Sequence, residues 1–166
     1  MDSTLKIFEL WCSENGWITK RNESASAFPD NIVQRFPHSL DTQYYEFICY
    51  FSECYTVDEQ SWFLCETEYT KEADDTELGW NVMESMSLEA SEHEHESQSI
   101  KEWWDDHLPI LLSTRDGYSH FSISLEKGSF GQVVEGYEPV FEDVVIIANS
   151  FVEFLGMIMD GSLIFI

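Results

Sequence analysis

The sequence predicts an α+β fold in a single domain, on three observations. Apolar residues recur at helical spacing near both ends of the chain, and after residue 109 the spacing changes to period two. No linker and no internal repeat divides the 166 residues. A chain of this length suits one domain and buries roughly 70% of its unfolded surface. Apolar residues are 43% of the total and aromatics 15%, enough for a core that needs no staples.

The first helix is expected to start at Ser3, to carry Leu5, Ile7, Phe8, Trp11 and Cys12 on one broad side, and to stop at Asn15-Gly16. Residues 19–30, "TKRNESASAFPD", are polar and read as a loop. The next helix is predicted over 37–55, where Pro37 suits a first turn and Leu40, Tyr44, Phe47, Ile48, Phe51 and Tyr55 recur at helical spacing. "SWFLCETEY" (61–69) reads as a strand, "GWNVMESMSLEA" as a helix, and "SEHEHESQS" as an exposed loop or frayed end. Ser99 and Glu102 form a capping-box pattern ahead of Ile100, Trp103, Trp104 and His107, with the helix ending at Leu108-Pro109.

Strands follow. "PILLS" (109–113) leads to Asp116-Gly117, a hairpin-turn signal. In "YSHFSISL" (118–125), Phe121, Ile123 and Leu125 point one way and His120, Ser122 and Ser124 the other. "QVVEGYE" (132–138) is a further strand, and "VVIIA" (144–148) a buried strand or the approach to the last helix. That helix opens with Ser150-x-x-Glu153, buries Phe151, Phe154, Leu155 and Ile158, and ends at Gly161.

Thirty-two acidic residues face eight basic ones, a net charge of −24. Such a field repels nucleic acid and anionic membranes, and steers a basic partner inward. The bias is uneven, since residues 66–106 hold 14 acidic and two basic residues, a net of −12. No apolar run approaches the roughly 18 residues of a membrane span. The N-terminal "MDSTLKIFELW" shows no signal-peptide pattern, so a cytoplasmic location is expected. Cys12, Cys49, Cys54 and Cys65 lack C-x-x-C spacing and read as buried reduced thiols.

"EKGSFGQVVEG" (126–136) imitates the glycine-rich loop of protein kinases through Gly128, Ser129, Phe130, Gly131 and Val133. The imitation fails chemically. Glu126 replaces the first glycine, and no Lys or Arg follows Lys127 to hold phosphates. Only 33 residues follow Val133, too few for the catalytic and metal-binding loops. The glycines therefore read as turn residues. "EHEHE" (92–96) places His93 and His95 among carboxylates, but no third ligand is indicated, and a solvated acidic loop is the preferred reading. "EADDTE" (72–77) lacks the oxygens and glycine of an EF-hand loop. His38, His107 and His120 have no motif around them, and no G-x-S-x-G elbow occurs. One of Trp103 and Trp104 belongs to the core, and the other is free to anchor a protein partner. No catalytic set, metal or cofactor is indicated.

The order of elements resembles the SUKH superfamily, also called the Smi/Knr family. The resemblance lies in Phe36-Pro37-His38-Ser39-Leu40 leading to Tyr44 and Phe47, then Pro109-Ile110, Asp116-Gly117-Tyr118 and Gly131-Gln132-Val133. It closes on Ala148, Ser150, Phe151, Phe154 and Leu155. Glu53-Cys54 and Val57-Asp58 stand where the family has an asparagine-glycine turn. The resemblance is best carried over 36–158 and treats 1–166 as one domain. It implies an α+β fold with a mixed or antiparallel sheet and helices packed around it. It also implies a non-enzymatic binding protein: a bacterial immunity protein that neutralises a cognate toxin domain, often a nuclease, or alternatively a regulatory scaffold with several partners. A basic nuclease suits the acidic charge. The expected toxin contacts are Asp74, Asp75, Glu77, Glu92, Glu94, Asp105, Asp106 and Asp116, with Trp104 and Tyr118 as aromatic anchors. A third reading, an enzyme using scattered carboxylates, would need a deep pocket holding a carboxylate of raised pKa.

Overall fold

The structure is a computed structural model, and it describes residues 1–23, 28–36, 40–70 and 79–163. Its frame is one antiparallel sheet of seven strands lying side by side in chain order. The elements run α1 (Asp2–Glu14), β1 (Trp17–Arg21), α2 (Asp30–Arg35), α3 (Thr42–Tyr50), β2 (Phe51–Thr56), β3 (Ser61–Phe63) and α4 (Glu66–Tyr69). After these come α5 (Val82–Ala90), α6 (Glu94–Asp105), β4 (His107–Ser113), β5 (Ser119–Ser124), β6 (Val133–Tyr137), β7 (Val140–Ala148) and α7 (Phe151–Asp160). The α+β expectation holds, with the sheet wholly antiparallel.

Helices cover both faces of the sheet. On the first face, α1, α3 and α7 bury Phe8, Phe47, Phe151 and Phe154 against Phe63 and Phe121. Rings meet at 4.7 Å for Phe47–Phe63 and 5.1 Å for Phe121–Phe154. Truncating any one of these rings to Ala would cost about 3–5 kcal/mol. On the second face the α5–α6 hairpin lays Trp103 and Trp104 over His120. His120 and Phe121 are neighbours in one strand, so they must serve opposite faces. This double cover explains why every residue of β4 and β5 is buried, the serines included.

Several elements differ from their sequence reading. The helix predicted over 37–55 is Thr42–Tyr50 among the described residues, and its end becomes β2. Asp41 caps it by accepting from Tyr44 N at 2.8 Å, and Phe51 is already extended. Phe51 and Tyr55 continue the four-residue spacing by coincidence: Phe51 is buried where β2 begins, and Tyr55 is only half-buried. Residues 37–39 lie outside the described residues. The polar loop expected over 19–30 contains the end of β1 and the start of α2. Its charge reflects an edge strand whose Lys20 and Arg21 pair with Glu53 at 3.0 Å and Glu9 at 2.6 Å.

The strand read over 61–69 ends at Phe63. Glu68 then accepts from Cys65 N at 2.9 Å and supports a single turn of helix. Only Ser91–His93 of the exposed "SEHEHESQS" stretch form a connection; α6 starts at Glu94, with Glu94 and Glu96 complementing the positive end of its dipole. Ser99 lies inside that helix, where its hydroxyl donates to His95 O, so it is not a cap. The terminal helix matches its reading more closely. Ser150 Oγ accepts from Glu153 N at 3.2 Å, and Gly161 ends the helix at φ 75°.

Candidate binding surface

Chain direction sorts the predicted contact residues. Helix α6 packs against α5 after the short Ser91–His93 connection and leads into β4. Eleven residues separate Glu94 from Asp105, about 16 Å at helical rise. Strand β4 then runs away from Asp106 toward the turn at Asp116. Glu92 and Glu94 therefore lie by the start of α6, and Asp105 and Asp106 by its end. The Asp116–Tyr118 turn touches the β6–β7 turn, where Glu138 N donates to Tyr118 O at 3.0 Å. Asp74, Asp75 and Glu77 lie outside the described residues.

Two of the predicted contacts are already engaged within the fold. Trp104 is only 2% exposed. Its ring packs 4.8 Å from His120 and its Nε1 donates to Glu142 at 2.6 Å, so it is a core residue rather than a surface anchor. Asp105 accepts from Arg35 Nε at 3.1 Å, while the same guanidinium grips Glu84 with two bonds at 2.7 and 2.8 Å. That cation offsets acids at the negative end of α6.

What the fold does assemble is a groove of about 460 Å³ between α5, α6 and the start of β7. Ile100 and Trp103, three residues apart on α6, form one wall, and Pro139 and Val140 form the opposite one. Glu96 and Glu142 add carboxylates. Ser87 lines the α5 side, and its buried hydroxyl has no hydrogen-bond partner among the described residues. Trp103 is held rigidly for such a role: it stacks on His107 at 3.8 Å with ring planes 3° apart, and His107 Nδ1 lies 2.8 Å from Trp103 O. Burial lowers the His107 pKa, so this stacked ring stays neutral at pH 7.

No protein-family model, curated protein or solved structure matches the chain. Among the described residues, no group of three or more His, Cys, Asp or Glu could hold a metal ion. His93 precedes α6 and His95 lies in its first turn, and residues two apart do not share a helix face. Burial raises the thiol pKa values of Cys54 and Cys65, which keeps them unreactive. His120 is enclosed between Ser122 Oγ at 2.8 Å and Phe141 O at 3.0 Å, a packing role. Burial raises the Glu135 carboxyl pKa, and the residue lies in β6 between Phe121 of β5 and Val145 of β7.

The groove's residues are only partly legible in the sequence. The sequence marks the tryptophans at 103–104, but the two exchange roles: Trp104 is the core residue and Trp103 the half-exposed one. Glu96 lay inside the "EHEHE" motif, whereas Val140 and Glu142 carried no signal because their place depends on the β6–β7 turn. Among the described residues, no helix is long and apolar enough to cross a membrane.

Proposed function

We propose that this chain is an immunity protein, a non-enzymatic cytoplasmic inhibitor that binds and neutralises a basic, nuclease-type toxin domain. The observation that carries the reading is the acid-bearing aromatic groove, in which Glu96 and Glu142 flank Trp103 and Ile100 on a protein of net charge −24. A rigid aromatic ring beside carboxylates suits a lysine- or arginine-rich surface: the ring supplies apolar area and a cation–π face, and the acids supply the countercharge. Glu92 and Glu94 adjoin Glu96 at the start of α6, and Asp116 and Tyr118 adjoin the β6–β7 turn that supplies Pro139, so these residues would extend that surface. A nuclease carries positive charge where it holds phosphate, so an acidic inhibitor is steered to it and occludes it. The same field keeps this chain off nucleic acid and anionic membranes. The resemblance of its sequence to the SUKH superfamily fits a binding protein of either kind, and the acid excess favours the immunity reading over the scaffold.

The test is expression of the C-terminal domain of the protein encoded immediately upstream, alone and with this chain. Growth arrest relieved by co-expression, with a co-purifying complex, is expected. Trp103→Ala should weaken that complex by roughly 2 kcal/mol, about thirtyfold in Kd. Reversing Asp74, Asp75 and Glu77 to lysine should reduce the affinity and its dependence on salt. Toxicity without rescue or complex would sink the immunity reading.

A further inference from the structure

We propose that the outer edge of β7 is a strand-addition site that takes an extended basic segment of the partner as the next strand of the sheet. The proposal rests on the reading above and deepens it. Strand β7 is nine residues long and last in the sheet order, so its outer edge has no neighbouring strand among the described residues. Such an edge offers a row of backbone donors and acceptors to an incoming chain.

Its side chains suit addition. Val145 and Ile146 are 56% and 63% exposed. Consecutive strand residues point to opposite faces, so β7 shows apolar surface on both faces at one place. An added strand would set its own side chains beside both. The register there is regular, with Val145 opposite Glu135 and Ile146 opposite Val134, and the bulges fall on either side. The other sheet edge is different: β1 is short, breaks register at Lys20/Arg21, and engages both cations in ion pairs.

Charge selects the occupant. Glu142 and Asp143 precede the apolar pair on the same strand, Glu138 sits in the adjoining turn, and no Lys or Arg follows Lys127 in the sequence. A second copy would bring the same acids against these, and like charges across strands destabilise pairing. A segment alternating Lys or Arg with β-branched residues would satisfy the acids, the apolar pair and the backbone together. It would also continue directly from the groove, whose wall includes Val140 and Glu142.

Backbone hydrogen exchange by NMR tests this on the full chain at low salt. The probes are a capped Lys-Val-Lys-Val-Lys-Val peptide and its Glu-Val counterpart, alongside the toxin complex where one forms. The basic peptide is expected to slow exchange of alternate amides within 143–147 by about tenfold or more. The acidic peptide should not. Val145→Lys with Ile146→Lys, both exposed, should abolish the protection while leaving the Tm within a few degrees. Unchanged exchange at β7, or protection confined to α6, would overturn the proposal, as would protection that appears with protein concentration alone and marks a second copy. A toxin complex that forms without protecting β7 also overturns it while leaving the immunity reading intact. Protection by the basic peptide without any toxin complex would retain the site and remove that reading.

Discussion

His120 shows how one residue fixes its surroundings. It pairs across the sheet with Gly136, and its imidazole reaches over that glycine to Phe141 O at 3.0 Å. A Cβ built on Gly136 would lie 2.1 Å from Phe141 O and 2.5 Å from His120 Nε2, so only glycine admits this hydrogen bond. Burial pushes the His120 pKa down to about 4. The folded protein therefore holds it neutral, while the unfolded chain protonates it near pH 6.5. Below pH 6.5 the unfolded state binds a proton that the folded state refuses until about pH 4. This residue's contribution is complete above pH 6.5 and is lost as pH falls through that window, by about 3 kcal/mol in all. Glu135 and Asp41, whose carboxyl pKa values burial raises, oppose it by binding protons more readily in the fold. His120→Gln isolates the term. The stability difference between wild type and variant, from urea titrations at pH 7.5 and pH 4, should shrink by about 3 kcal/mol. A constant difference would mean that the imidazole is not held neutral.

At the scale of elements, the clearest test is the start of α7. Ser150 Oγ accepts from Glu153 N, and Glu153 in turn accepts from Asn149 N at 2.8 Å, a reciprocal cap set one residue earlier than the usual box. Ser150→Ala should lower stability by about 1 kcal/mol. Glu153→Gln, which retains an acceptor, should cost less in the same urea titration, and equal losses would show that charge rather than capping holds this end. The two ends of the chain were legible because α1 and α7 each bury one stripe, and period 3.6 writes that stripe into the sequence. The β4–β5 hairpin was legible through Asp116-Gly117, whose glycine adopts φ 99°. What escaped was decided by tertiary context. In β1 and β2 the same polar and aromatic residues fit a helix or a strand, and only the pairing of Ile18 with Tyr55 and Tyr55 with Trp62 selects the strand. The binding surface escaped for a similar reason. Charge marked α6, but which tryptophan faces the groove depends on where the sheet lies, and the opposite wall comes from a turn about 35 residues away.

The whole molecule is dominated by unbalanced charge. Of eight basic side chains, Lys6, Lys20, Arg21, Arg35 and Arg115 already have ion-pair partners, so 32 acids have few cations left to share. Most of these pairs lie at the surface, where each contributes little. Folding gathers the remaining carboxylates into a smaller volume and raises their mutual repulsion. Salt screens that repulsion, since the Debye length falls from about 30 Å at 0.01 M to about 3 Å at 1 M. Two opposite outcomes follow from two accounts of stability. If surface ion pairs held the fold, sodium chloride would lower the Tm. If repulsion dominates, as the acid excess implies, relief of about 1–2 kcal/mol should raise it by roughly 2–8 °C for a domain of this size. A calorimetric scan at low and high sodium chloride separates the two. The same repulsion bears on recognition. A basic partner neutralises in one step what salt only screens, so the complex should melt well above the free chain at low salt, and the gap should close as salt is added.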